Sequence, residues 1–229
     1  MSKSILFYGE PGVGKTESLN NLDPASTIII DADKKELEFE NADQYSRENG
    51  NYFKTNNIDD IIKTVVNVGG NNEKWKQIST LVIDGMNNVW ARAVFSKNDN
   101  NNKFEKYAEI GEKTYKLFDL INDSRNDLFI VVITHVKHYD PYVEGDVDRV
   151  FTPGKVIEDK IKLESKFNFV FYAKAKDGEY FFETKPNRST ARSPRSFPET
   201  IPNDVAAAIQ LIKNLRVKAG ASDDSPQRL

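Results

Sequence analysis

A three-layer α/β domain, with a mainly parallel sheet and a C-terminal β-hairpin followed by a helix, is predicted by three features of the 229-residue chain. Apolar, β-branched runs recur at 4–8, 27–31, 79–84 and 129–134, each the length of a strand buried on both faces. The string Gly9-Glu-Pro-Gly-Val-Gly-Lys-Thr16 follows the first run directly, so a strand feeds a glycine-rich turn. Near the C-terminus, two further apolar runs flank Lys176-Asp-Gly178, the signature of an antiparallel hairpin.

The elements follow in order. Strand 4–8 leads into the glycine-rich turn, and a helix starts at Lys15 and stops before Pro24. Thr27-Ile-Ile-Ile-Asp31 is a second buried strand, and 52–54 a short edge strand. Ile58, Ile61, Ile62 and Val65 have helical spacing over 58–68, and Gly69-Gly70 ends that helix. Ser79-Thr-Leu-Val-Ile-Asp84 is the third buried strand. Helices over 88–95 and 104–121 are separated by the polar run 96–102, read as a mobile loop. Phe129-Ile-Val-Val-Ile-Thr134 is the fourth buried strand, and a long polar segment, 137–155, follows it. Strands at 169–173 and 180–184 form the hairpin, and 204–217 is a final amphipathic helix. One domain therefore spans 1–217, with 218–229 a disordered tail.

Composition excludes several classes. The chain has no cysteine, which removes disulfides, zinc-thiolate sites and thiol catalysis and fits a reducing cytoplasm. No basic-then-apolar leader is visible, and no apolar run reaches membrane-spanning length, so a membrane partner is not expected. The net charge of −3 argues against an overall basic coat. Charge is uneven, however: Lys185, Arg188, Arg192 and Arg195 fall in one acid-free stretch.

The pattern G-x-x-x-x-G-K-[ST] supplies backbone N–H groups that converge on one point and cradle a phosphate. Gly9, Glu10, Pro11, Gly12, Val13, Gly14, Lys15, Thr16 and Glu17 make up this cradle. Lys15 reaches the β- and γ-phosphates, and the Thr16 hydroxyl is placed to ligate Mg²⁺. A nucleoside triphosphate, ATP with Mg²⁺, is the expected occupant. Asp84 ends a buried strand and is the expected carboxylate partner of the magnesium. Asp33, after the second strand, is the first candidate for the base that orients an attacking water, and Glu36, one helical turn on, is the second. A solvated acidic turn is the plainer reading of these acids. Thr134 and His135 close the fourth strand, where a polar group can sense the γ-phosphate.

Taken together, Gly9–Thr16, Ile30-Asp-Ala-Asp33, Val82-Ile-Asp-Gly85 and Val132-Ile-Thr-His135 resemble the core of RecA-like P-loop NTPases. The closest likeness is to short phage-encoded RecA-like ATPases associated with single-strand annealing and recombination. In AAA+ proteins a Glu usually follows the magnesium Asp; here Gly85 stands there, whereas RecA-like ATPases carry a Glu near the place of Asp33. The resemblance implies a fourth strand lying between the phosphate-loop strand and the Asp84 strand. It implies a DNA-contacting loop at 137–155, where Lys137, His138, Tyr139, Tyr142, Arg149, Phe151 and Lys155 mix cations with aromatics. It also implies that Lys185 and Arg188 reach the ATP site of a neighbouring subunit in a ring or filament. The implied partners are single-stranded DNA, further copies of the chain and a single-strand-binding protein. Two alternatives stay open: a P-loop nucleotide or small-molecule kinase, and a nucleotide-gated assembly or loader module with weak hydrolysis.

Overall fold

A computed structural model describes residues 3–96, 103–154, 157–158 and 161–220. Residues 97–102, most of the expected mobile loop, lie outside these, as do Lys155 and the tail beyond Gly220. The strands are β1 (Lys3–Gly9), β2 (Thr27–Asp31), β3 (Tyr52–Lys54), β4 (Thr80–Asp84), β5 (Phe129–Lys137), β6 (Arg149–Val150), β7 (Phe169–Lys176), β8 (Glu179–Glu183) and β9 (Thr200–Pro202). The α-helices among the described residues are α1 (Ile58–Gly69), α2 (Met86–Phe95), α3 (Lys103–Asp123) and α4 (Val205–Gly220).

Hydrophobic alternation builds three layers. In β1, Leu6 and Tyr8 face one core while Ile5 and Phe7 face the other. The first core is filled by Ile61 and Val65 of α1, Val89 and Trp90 of α2, and Leu117, Phe118 and Ile121 of α3. The second takes Leu19, Phe39 and Tyr45 together with Val205, Ala208 and Ile212 of α4. Asn57 caps α1 by accepting from the Asp59 N–H at 3.2 Å, and the apolar spacing then turns one face of that helix inward. Trp90 is wholly buried, and its Nε1 donates to Thr114 Oγ1 at 3.1 Å, so the ring leaves no unpaired donor in the core.

The sheet order is β3-β2-β4-β5-β1-β7-β8-β9, with β6 paired to β5. β3, β2, β4, β5, β1 and β7 run parallel; β8 and β9 run antiparallel beyond β7. The mainly parallel sheet, the terminal hairpin and the final helix are as expected. β5 lies between β1 and β4, the position that the resemblance implied for the fourth strand.

Three elements differ from expectation. The helix expected from Lys15 to Pro24 is only a 3₁₀ turn, Glu17–Leu19. The Ser18 hydroxyl donates to the Lys15 carbonyl at 2.5 Å, the acceptor that Leu19 N–H would use in an α-helix, and Leu19 N bonds Thr16 O instead. The polar segment 137–155 is not one loop, because β5 continues to Lys137 and pairs with β6 to make a second hairpin. β9 was not anticipated: three residues ending in Pro202 carry too little periodicity to register, though a sheet edge tolerates the proline. No helix among the described residues is long and apolar enough to cross a membrane.

Candidate active site

Strand order brings the chemistry together. Gly9 is in register with His135, and Asp84 with Ile133, so the phosphate loop, the end of β4 and Thr134-His135 open at one end of the sheet. Asp31 pairs with Asp84, which brings the turn after β2 to the same end. A cleft of about 680 Å³ results, lined by Gly12, Gly14, Lys15, Thr16, Asp33, Asp84, Gly85, Asn87, Asn88, Thr134 and His135 among others. A larger hollow of about 880 Å³ lies at the other end of the sheet against Phe53 and Trp75, and none of these residues lines it.

The phosphate loop is held by its lysine. Lys15 Nζ donates to the carbonyls of Gly9 at 2.9 Å and Glu10 at 2.5 Å, curling the loop around the ammonium. Burial brings its pKa down to about 8, against the opposing pull of Asp84, Glu10 and Asp33. Gly14 has φ +73°, and an added Cβ would lie 2.4 Å from Asn203 Nδ2, which donates to the Gly14 carbonyl at 3.0 Å. Pro11, Val13 and Glu17 belong to the loop and its exit turn, and Pro11 and Glu17 line the cleft.

Thr16 and Asp84 meet directly: Thr16 Oγ1 donates to Asp84 Oδ2 at 2.7 Å. Burial pushes the Asp84 carboxyl up to about 6, with the Thr16 bond opposing the shift and Asp33 and Asp31 adding to it. One hydroxyl and one carboxylate side by side suit Mg²⁺, which takes one or two protein oxygens and completes its shell with phosphate oxygens and waters. No group of three or more His, Cys, Asp or Glu among the described residues is arranged to hold a metal by itself. Two orphaned atoms support a bound polar group in the cleft. Thr134 and Asn87 line the cleft, and Thr134 Oγ1 and Asn87 Oδ1 are buried and have no hydrogen-bond partner.

The acids after β2 separate into distinct roles. Asp31 is consumed locally, accepting from Lys34 N–H at 2.8 Å and from the Tyr52 hydroxyl at 2.7 Å. Asp33 turns into the cleft, where Asn88 Nδ2 donates to its Oδ1. Gly85 has φ +85°, and a Cβ there would lie 2.1 Å from Asp33 Oδ1. The glycine after Asp84 is thus the notch into which Asp33 fits. Glu36 is not one helical turn on, since the chain after β2 is irregular; it is exposed and lines an adjoining hollow with Asp33, Thr16 and Asp84. His135 lines the cleft with its pKa held below the ordinary value, first by burial and then by Lys15, which favours the neutral ring.

Lys185 and Arg188 lie outside this cleft. Lys185 Nζ donates to the Pro194 carbonyl, and Arg188 is exposed in a left-handed conformation, φ +51°. The Arg188 carbonyl accepts from Asp148 N at 2.9 Å.

His138, which the resemblance places in a DNA-contacting loop, ties that segment to the phosphate loop. Its Nε2 meets Glu10 Oε1 of the phosphate loop, and its Nδ1 lies 3.1 Å from Asp148 Oδ1. Those two acceptors raise its pKa, the Glu10 contact most. Asp148 also accepts from Tyr139 N at 3.0 Å and the Tyr172 hydroxyl at 2.8 Å. Burial works against its charge, but these bonds outweigh it and hold the carboxyl below the ordinary range. Asp140 accepts from Tyr142 N, and Asp146 from Asp140 N and Val147 N. The acids of 138–148 therefore fold the loop. Lys137 and Arg149 are tied to Glu158 and Asp146, which leaves Tyr139, Val143 and the 95 %-exposed Tyr142 facing outward. The sequence signal for this arrangement is no more than a histidine among acids.

A family described as an AAA domain matches residues 1–195. No curated protein matches the chain. The chain belongs to that AAA-domain family, and its mixed α/β fold is that of a P-loop ATPase.

Proposed function

We propose that this AAA-domain chain hydrolyses ATP as a homo-oligomer, ring or filament, that binds single-stranded DNA and assists annealing or homologous recombination, in the host cytoplasm if phage-encoded. One observation carries the reading: His138 joins Glu10 of the phosphate loop to a hairpin whose tip offers exposed tyrosines. Bases stack on such rings without regard to sequence, and each stacked base contributes about 1–3 kcal/mol. A nucleotide that rearranges the phosphate loop changes the support of that hairpin, and by linkage DNA on the hairpin changes nucleotide affinity.

Within the cleft, Lys15 neutralises phosphate charge, Thr134 offers a hydroxyl to the γ-phosphate, and Asp33 orients the attacking water. Thr16 and Asp84 would hold Mg²⁺, which would supply positive charge to the triphosphate. α2 and α3 bury Val89, Trp90, Leu117 and Phe118 against the sheet instead of folding over the cleft as a lid, which favours hydrolysis over the kinase reading. Lys185 and Arg188, which do not line their own cleft, are the cations proposed for a neighbouring subunit.

The test is fluorescence anisotropy of a labelled oligonucleotide with and without a slowly hydrolysed ATP analogue. Nucleotide-dependent binding that weakens steeply with salt is the expected result. Binding that ignores both nucleotide and salt contradicts the reading.

A further inference from the structure

The geometry points to Asn87 and Asn88 as working members of the hydrolytic site: Asn88 positions the base, and the Asn87 side-chain carbonyl holds the attacking water. The inference rests on ATP hydrolysis with Asp33 as base.

Neither asparagine is needed to build α2. The helix starts at Met86 after a left-handed Gly85, and its buried residues are Met86, Val89 and Trp90. Asn87 and Asn88 sit at the first turn on the cleft side, and both line the cleft. Asn88 N bonds Gly85 O at 2.8 Å, which fixes the backbone from which its side chain reaches Asp33. Its Nδ2 donates to Asp33 Oδ1, the same oxygen for which Gly85 leaves room. One carboxylate oxygen is thereby fixed by a neutral donor, leaving Oδ2 to take a proton.

Asn87 Oδ1 is buried without a partner. A carbonyl oxygen can only accept, so it cannot pair with an ionised phosphate oxygen. It needs a donor, and Lys15 Nζ is already shared between the Gly9 and Glu10 carbonyls. Water satisfies it. A water that donates one hydrogen to Asp33 Oδ2 and the other to Asn87 Oδ1 has a lone pair left for the γ-phosphorus. In the step, the water oxygen forms its bond to the γ-phosphorus as the bond to the β,γ-bridging oxygen breaks. ADP leaves with that bonding pair, and the water's proton passes to Asp33. Inorganic phosphate forms, and Asp33 returns the proton to phosphate or solvent. Asn87 is then a catalytic residue and Asn88 a positioning one.

Steady-state turnover of the full chain tests both. Asn87→Ala is expected to lower kcat about 100-fold while KM for ATP stays within about twofold. Asn88→Ala is expected to cost about tenfold in the native background and nothing in Asp33→Asn, because it acts through Asp33. Wild type should form a stable complex with ADP and aluminium fluoride, whose axial water mimics the nucleophile, and Asn87→Ala should not. Both proteins should bind ADP with beryllium fluoride, which shows that the variant is folded. An Asn87→Ala variant that raises KM at unchanged kcat places Asn87 on ribose or another ground-state group and overturns its role. Equal cost of Asn88→Ala in both backgrounds overturns the positioning role. Unchanged turnover in Asp33→Asn, by contrast, fails the choice of base in the underlying reading.

Discussion

Gly85 and Asp33 are two halves of one arrangement. Asp84 carries a carboxyl pushed up to about 6, and a second acid directly after it would crowd the same buried space. Here the neighbouring strand supplies the acid, and position 85 supplies the room. Gly85→Ala is therefore expected to do two things. A left-handed backbone with a Cβ costs about 1–2 kcal/mol, read as a lowered melting temperature. The Cβ also displaces Asp33 and lowers kcat more than nucleotide affinity. Unchanged turnover in a folded variant would separate the two residues. Thr134 makes the complementary prediction. Its hydroxyl is buried and unpaired, so Thr134→Val should stabilise the nucleotide-free chain by up to about 1 kcal/mol while weakening ATP relative to ADP. A melt and two calorimetric titrations decide it. Lys15→Ala should abolish tight ATP binding, which the same calorimetry reads directly.

The β5–β6 hairpin and its fastening form the next level. His138 is held by Glu10 and Asp148, with Tyr172 behind Asp148, and its pKa is raised above the ordinary 6.5. The protonated ring makes both contacts, so the fastening is fully present below 6.5 and is lost as pH rises through the raised value. Proteolytic cleavage within 139–147 should accelerate over that rise in wild type and be fast at every pH in His138→Ala. A flat wild-type profile would count against the fastening. Deeper in the fold, Trp90→Ala should cost about 3–5 kcal/mol, since it empties a wholly buried site and removes the donor to Thr114 Oγ1. Such contrasts explain what could be read in advance. Strands like β2 and β5 are buried on both faces and announce themselves as apolar runs, and the phosphate loop announces itself by its glycines. The turn after Thr16 was misjudged because one Ser18 hydroxyl redirects the Lys15 carbonyl, a competition that periodicity does not record. Likewise His138, Asn87 and Asn88 gain meaning only from strands and loops distant in sequence.

At the level of the whole chain, the parallel sheet sets the phosphate loop, Asp84, Asp33 and Thr134 at one end, with the β5–β6 hairpin beside them. The family match establishes the P-loop ATPase frame, and within it a glycine stands where AAA+ proteins usually carry the water-orienting Glu. Asp33, in the turn after β2, is the acid seated beside that glycine, and its side chain is one methylene shorter than a glutamate. The Arg188 carbonyl accepts from the Asp148 backbone N–H while the Asp148 side chain holds His138, so Arg188 and the hairpin fastening meet at one residue. Arg188→Ala should lower turnover in mixed assemblies with wild type, and a rate equal to wild type would make it a plain surface residue. The most direct measurement is the steady-state ATP hydrolysis rate with and without saturating single-stranded DNA. A severalfold rise with DNA, lost in His138→Ala, is the predicted result; an identical rate in both conditions for the wild-type chain would contradict it.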